Sequence, residues 1–328
     1  MNARIRFKST LASVIADYLA LKTALGRRYD SERWILQSLD VFLVEQATDA
    51  DLTAETFACW CRTLQHLSPT VRRMRMRVVR NLCLYRRRME PACFVPDAAL
   101  FPPTRQGVKP HIFTDAQVIR IIKATRSLQV AAYCPLRPAT FRLAIVLLYT
   151  AGLRRGELLR LTIADVDHRE QTLLIRVTKF HKSRRVPLSP SVFKEVERYL
   201  KARRAHRLPA PYEPLLIWNV DGPARGYTGT GLHRVIRRLL REAGIRKPDG
   251  RLPRTHDFRH SMAVNALLRW YRAGVDVHAK LPLLATYMGH VSILSTQHYL
   301  HFVDDLASSA SARFAEHCGG LVRVRNDS

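Results

Sequence analysis

Acidic residues are scarce in this sequence. Across 328 residues, 27 Asp+Glu stand against 54 Lys+Arg, a formal net charge of +27, and between Val71 and Met89 there is no acid at all. With 47% hydrophobic residues the chain is not a disordered basic tail, so the charge decorates folded surfaces and implies a polyanionic partner. Long apolar runs are missing too. The stretch Leu143 to Leu153 falls well short of the ~20 residues a spanning helix needs and reads as a buried helix, which sets nucleic acid ahead of a membrane surface as the polyanion. The N-terminus starts basic, but Asp17 interrupts the apolar residues that follow and no cleavage pattern is evident. Cys59, Cys61, Cys83, Cys93, Cys134 and Cys318 show no framework spacing, and the first two are too close for the usual zinc pair. They read as reduced thiols of an intracellular, cytoplasmic protein. No repeat, low-complexity tract, phosphate-cradling glycine loop or carboxylate cluster is present, which leaves neither an ATP site nor a metal site in view.

What is present begins with helices. Leu11, Ile15, Tyr18, Leu19 and Lys22 start an amphipathic run that Gly26 breaks; Trp34, Leu36, Leu39, Phe42 and Leu43 start a second; Phe57, Trp60 and Leu64 mark a third. Pro69 suits the first turn of a fourth. There Val71, Met74, Val78, Leu82 and Tyr85 form an apolar face, and Arg72, Arg73, Arg75, Arg77, Arg80, Arg86, Arg87 and Arg88 crowd the rest. A solvated helix normally interleaves acids, so this one reads as a nucleic-acid contact, with Arg72, Arg73, Arg75, Arg77 and Arg80 as candidate ligands. Pro91 to Pro110 holds five prolines and one glycine with weak periodicity and reads as a linker. The reading gives a helical N-terminal domain over 1–105 and a second domain over 106–328, with a tail at 303–328.

The second domain opens with a helix that Thr114 can cap, running through Val118, Ile121 and Ile122. The apolar helix around Phe141 to Tyr149 meets the turn Thr150-Ala-Gly-Leu and delivers Arg154 at the start of a short helix containing Glu157. An arginine at the edge of a core is costly without an anion, so Arg154 needs either Glu157 or a ligand. Thr172 to Val177 and Arg184 to Leu188 read as two strands of a hairpin whose tip carries Lys179, His181 and Lys182. Residues 192–204 and 231–243 read as amphipathic helices, and Arg246, Lys247, Arg251 and Arg254 lead into His256.

The stretch from Arg254 to Tyr299 carries the chemistry. His256-x-x-Arg259-His260 is followed thirty residues on by Gly289-His290, and Tyr299 lies nine residues after that histidine. A phenol with a pKa near ~10 is a poor nucleophile at neutral pH, so a tyrosine that attacks phosphorus needs a base or acceptor nearby and an electrophile relieved of its charge. Arginine supplies the second through its planar, permanently protonated fork. Taken singly, His256 and His290 read as structural or surface histidines and Tyr299, beside Leu300 and Phe302, as core; the conjunction with Arg154 and Lys179 favours a site.

Gly-Leu-Arg154-x-x-Glu157-Leu, Thr-Lys179-x-x-Lys182-x-Arg184-x-Val-Pro-Leu, His256-x-x-Arg259-His and Gly-His290 with Tyr299 resemble, in order and spacing, the motifs of the tyrosine recombinases, or phage integrases. The resemblance covers residues 112–302 well and the N-terminal helices loosely. It implies a mainly α fold with a small β-sheet: a helical, SAM-like core-binding domain and a mixed α/β catalytic domain in a two-domain, Xer-like layout. It further implies strand cleavage through a 3′-phosphotyrosyl link made by Tyr299, with religation to another strand. Arg154 and Arg259 would hold the phosphate, Lys179 would protonate the leaving 5′-oxygen, His256 would assist the phenol, His290 would bond the phosphate and Glu157 would support. Double-stranded DNA is the implied partner, contacted also by Lys182, Arg184 and Arg254, and the implied assembly is a homo-tetramer, or a hetero-tetramer with sister recombinases. No cofactor or metal is expected. The chain begins almost directly with the core-binding helices, which implies no additional arm-binding domain. The long Trp270 to Leu283 segment and the Ser295-Thr-Gln-His-Tyr299 ending are similar to recombinases of transposons and integrative elements. The tail at 303–328 is expected to dock on a neighbouring subunit. Three rivals stand beside this reading. A zinc protease would use His256-x-x-x-His260, but Asp257 replaces the needed glutamate and Arg259 sits beside the metal. A non-catalytic DNA-binding regulator fits the charge and would not need Tyr299. Type IB topoisomerases share the chemistry but fit the motif order less well.

Overall fold

The computed structural model describes residues 7–27, 29–46, 51–103, 109–176, 183–290, 292–297 and 299–300. The chain divides into two compact units, Met1–Val108 and Lys109–Ser328. Lys179, His181, Lys182 and the tail after Leu300 lie outside the described residues.

The first unit is helical: α1 (Ala12–Ala24), α2 (Asp30–Glu45), α3 (Ala54–Thr63) and α4 (Pro69–Arg86). Their core joins Ile15, Tyr18, Leu36, Leu39, Trp60, Val79 and Leu82. Two expectations are corrected here. The buried stripe of α4 is Met76, Val78, Val79, Leu82 and Cys83, whereas Met74 is exposed; two overlapping stripes of helical period exist in the sequence and packing chooses the other. Trp34 is 55% exposed and lies under Arg75, whose guanidinium carbon is 4.6 Å from the ring centroid.

The arginines of α4 divide as well. Arg73 donates to the carbonyls of Phe101 and Pro102, Arg80 to that of Pro96, and Arg86 pairs with Asp51 and Glu90. Arg77, Arg87 and Arg88 are exposed and Arg72 is half-buried. The first part of the expected linker is therefore packed onto the helices, with Cys93 and Phe101 buried and Phe94 and Phe101 meeting Phe57. A proline-rich stretch without periodicity can still be core when its carbonyls find arginine donors.

The second unit places α5 (Asp115–Ala124), α6 (Arg137–Thr150) and α7 (Arg155–Arg160) ahead of a small antiparallel sheet. Thr114 caps α5 as expected, with Gln117 completing a reciprocal pair of hydrogen bonds. The sheet has strand order β1 (Val166–Asp167), β2 (Thr172–Ile175) and β3 (Arg184–Pro187), with Leu173 opposite Val186 and Ile175 opposite Arg184. The two expected strands are present; β1, two residues long, leaves no pattern to read. Then follow α8 (Pro190–Arg204), α9 (Gly229–Glu242), α10 (Asp257–Arg272), α11 (Val277–Met288) and the single turn α12 (Leu294–Gln297). The main core gathers α6, whose apolar residues are buried nearly all round, with Leu173, Val186, Val196, Leu239 and Phe258. A second cluster joins α10 and α11 through Met262, Leu267, Leu281 and Met288, and includes Tyr299.

Candidate active site

Two glycine turns and one helix end build the site. After α6 the chain turns at Gly152 with φ +59°, a left-handed conformation that strains any residue with a Cβ and so favours glycine. That turn sets Arg154 just ahead of α7, whose Glu157 reaches back to accept from the Arg154 backbone N–H at 3.0 Å. The other turn ends α11. Gly289 has φ +67°, and the His290 N–H bonds the Ala285 carbonyl at 2.9 Å, the left-handed stop of a helix C-terminus.

Three arginines then take the carbonyls this helix end leaves free. Arg184 donates to Tyr287 O at 2.9 Å, Arg259 to Met288 O at 2.6 Å and Arg154 to Gly289 O at 3.0 Å. The partial negative charge of a helix C-terminus favours cations there. Glu157 gathers the same three from the opposite side. Its carboxylate accepts from Arg154 at 2.7 Å and from both terminal nitrogens of Arg184 at 3.1 and 2.9 Å, with Arg259 at 4.0 Å. Burial pushes this carboxyl up, but the bonds from Arg184 and Arg154 outweigh it and hold its pKa at about 2. A Cβ on Gly289 would meet Arg184 at 2.7 Å, so the glycine serves this cluster as well as the turn.

The arginines are not equally placed. Arg259 has a side chain only 1% exposed, and that of Arg154 is 32% exposed. Burial, then the neighbouring Arg154, lowers the Arg259 guanidinium to about 10, still protonated at neutral pH. Three guanidiniums around one carboxylate leave an excess of positive charge in a largely buried place, which a phosphate diester would balance. Arg184, expected at DNA, instead has its guanidinium bound inside the protein. Arg254 is half-engaged, donating to Asp257 at 3.1 Å while remaining partly exposed.

Tyr299 reaches this cluster from the turn after α12. It is 3% exposed, and its N–H bonds Thr296 O at 2.9 Å. Burial raises the phenol pKa, against the pull of Arg259 and Arg154. The His290 ring lies parallel to the phenol with centroids 6.2 Å apart, and its Nδ1 is 2.7 Å from Thr296 Oγ1. The phenolic oxygen stands 3.1 Å from His260 Nδ1. His256, expected at the phenol, is the neighbour of that histidine, its ring edge-on to the His260 ring at 4.6 Å. Burial, with Arg259 and Arg154 nearby, lowers the pKa of His256; burial also brings His260 and His290 down to about 4. The site thus holds neutral imidazoles among charged guanidiniums.

The structure brings together Arg154, Glu157, His256, Arg259, His290 and Tyr299; Lys179 and Lys182 fall outside the described residues. Sequence reasoning quoted His260 in the motif and weighed it as a zinc ligand but gave it no part in strand cleavage, and it passed over Thr296. The first carried a signal, one helical turn beyond His256 at the start of α10; the second carried none beyond its place three residues before Tyr299.

Among known proteins, a family model described as Phage integrase family matches residues 112–305. "Putative integrase/recombinase y4rB" of Sinorhizobium fredii is 33% identical over 309 residues, 93% of this chain and 97% of that protein. "Tyrosine recombinase XerC 2" of Ralstonia nicotianae is 31% identical over 49% of this chain and 42% of its own length. The solved Tn1549 transposon integrase in complex with transposon right end DNA aligns over 92% of this chain and 99% of that one, with a TM-score of 0.61 at 18% identity. That likeness is one of fold, a mainly helical two-domain architecture with a small sheet. With residues 112–305 spanning the arginine cluster, both site histidine motifs and Tyr299, the chain belongs to the phage integrase family and is a tyrosine-type site-specific recombinase.

Proposed function

We propose that this recombinase cleaves and rejoins double-stranded DNA through a 3′-phosphotyrosyl intermediate on Tyr299, in the integration, excision or transposition of a mobile element. The observation that carries the reading is the convergence of Tyr299, His290, Arg154 and Arg259 around one helix end. Arg259, buried and rigidly held, and Arg154, open to solvent, bind the non-bridging oxygens of the scissile phosphate and stabilise the charge that grows as phosphorus becomes five-coordinate. His290, kept neutral and oriented by Thr296, donates to the same phosphate. His256 borders it from the start of α10. Glu157 fixes the arginines, and Lys179 supplies the proton to the leaving 5′-oxygen. The covalent link conserves the phosphodiester energy, so rejoining needs no nucleotide and the arginines provide the charge that a metal would.

The near full-length likeness to an S. fredii protein named as an integrase/recombinase, and the shared fold with a transposon integrase, support the mobile-element role. The basic surface supports duplex DNA as partner, and a four-subunit assembly on paired sites, in the cytoplasm, completes the proposal. Nicked duplexes tiled across the DNA flanking the coding sequence test it. A protein–DNA adduct that survives detergent, formed in the presence of EDTA, is expected on some of them; tight binding without any adduct would make the chain a non-catalytic regulator.

A further inference from the structure

We propose that His260 is a catalytic residue of this chain, the base whose Nδ1 receives the Tyr299 proton as the phenolic oxygen attacks phosphorus. The inference rests on the reading of Tyr299 as nucleophile. His256 stands at the start of α10 and His260 lies one turn further along it, so sequence spacing alone offers two candidates for the same task. Geometry separates them: the His260 ring nitrogen lies within hydrogen-bond distance of the phenolic oxygen, at 3.1 Å, and the ring is tilted 58° to the phenol at a centroid distance of 5.5 Å. That is the reach a general base needs.

The direction of the bond follows from the surroundings. Arg259 and Arg154 place positive charge beside the phenolic oxygen, which favours its giving up the proton toward His260 as attack proceeds. For the imidazole to accept at Nδ1 it must carry its proton on Nε2 and be neutral. Burial, then His256 beside it, holds His260 near 4, so it is uncharged at neutral pH. A base this weak does not strip a resting phenol; it takes the proton only as the new bond to phosphorus acidifies the oxygen. A bound phosphate also adds negative charge beside it and strengthens it.

The step balances. The Tyr299 oxygen forms a bond to phosphorus, the bond from phosphorus to the 5′-oxygen breaks with its electron pair leaving on that oxygen, the phenol proton passes to His260 Nδ1, and the 5′-oxygen takes a proton from Lys179. Religation runs the same transfers in reverse, His260 returning its proton to the departing phenol.

Single-turnover adduct formation on a nicked duplex tests the assignment, with His260→Ala, His260→Asn and Tyr299→Phe measured side by side. His260→Ala should form adduct about 10²-fold more slowly or worse, the low end for losing a general base, with DNA affinity unchanged. Its rate should climb with pH, and added imidazole should restore part of it. Asparagine can accept a hydrogen bond at the Nδ1 position but cannot hold a proton at neutral pH, so His260→Asn should be as slow as the alanine variant, and it carries the test if His260→Ala fails to fold. A wild-type rate in His260→Asn would reduce His260 to a positioning residue, and a rate within about threefold in His260→Ala would remove it from the chemistry; both overturn the proposal. An adduct persisting in Tyr299→Phe would instead overturn the nucleophile itself, whereas its loss there alongside unimpaired His260 variants would sink only the base.

Discussion

Glu157→Gln isolates the device that holds the site together. The carboxylate accepts one backbone and three guanidinium hydrogen bonds on two oxygens. Glutamine keeps the shape but offers one oxygen, and its amide would face N–H donors that the lost oxygen had served. Arg184 and Arg259, both largely buried, would also lose their countercharge. Breaking a buried ion pair from one side costs about 3–5 kcal/mol. For a domain of this size each kcal/mol is worth roughly 2–4 °C, so the melting temperature should fall by about 6–20 °C. The pH dependence adds a second check. Because the folded-state pKa of Glu157, about 2, lies below its ordinary 4.5, the stability it contributes is fully present above 4.5 and is lost as pH falls toward 2. The gap between wild type and Glu157→Gln in thermal melts should therefore be constant above pH 5 and narrow below it. A melting temperature within about 2 °C of wild type at pH 7 would refute the idea that this carboxylate organises the arginines.

Arg154→Ala and Arg259→Ala should each slow adduct formation by roughly 10²-fold or more, as loss of one transition-state donor does; the buried Arg259 should also cost melting temperature, and near wild-type cleavage by either variant would make that arginine structural only. The three site histidines, held below their ordinary pKa, stay neutral in the folded chain while unfolded histidines protonate. Stability should thus be full above about pH 6.5 and decline as pH falls toward 4, and a flat melting profile across that window would contradict their burial as neutral groups. In the first unit, Arg77→Ala, Arg87→Ala and Arg88→Ala should each reduce the salt dependence of DNA binding by about 0.9 in log–log slope if each contacts one phosphate. Arg73→Ala and Arg80→Ala, whose guanidiniums tie down backbone carbonyls, should instead lower the melting temperature; the reverse pattern would mean that the two sets of arginines are assigned the wrong way round.

The site was legible in the sequence to the extent that its chemistry demands scarce residue types at fixed spacings. Glu157 lies three residues beyond Arg154 at the start of α7, and Arg259 three beyond His256 at the start of α10, so each pair sits within one turn of a helix start, and Gly289-His290 with Tyr299 announced a turn that brings two rings together. What the spacing could not say is which partner each group chooses. Arg184 and Arg77 look alike in sequence, yet Arg184 is drawn inward by the free carbonyls at the end of α11, a feature that exists only once that helix is folded against β3. The exchange of His256 for His260 at the phenol has the same origin, since one helix face carries both and only the approach of Tyr299 selects between them. In the first unit the helices were legible from their apolar period, but the choice between two overlapping stripes on α4 was settled by packing against α1 and α2.

Tyr299 as nucleophile can be checked at the bond itself: the detergent-stable adduct formed on a nicked duplex is isolated and digested, and the DNA-bearing peptide is located by mass spectrometry. A single modified peptide carrying a 3′-phosphate on the Tyr299 oxygen is expected, and no adduct from Tyr299→Phe despite unchanged DNA binding. A nucleotide linked to any other side chain, or an adduct that persists in Tyr299→Phe, would contradict it.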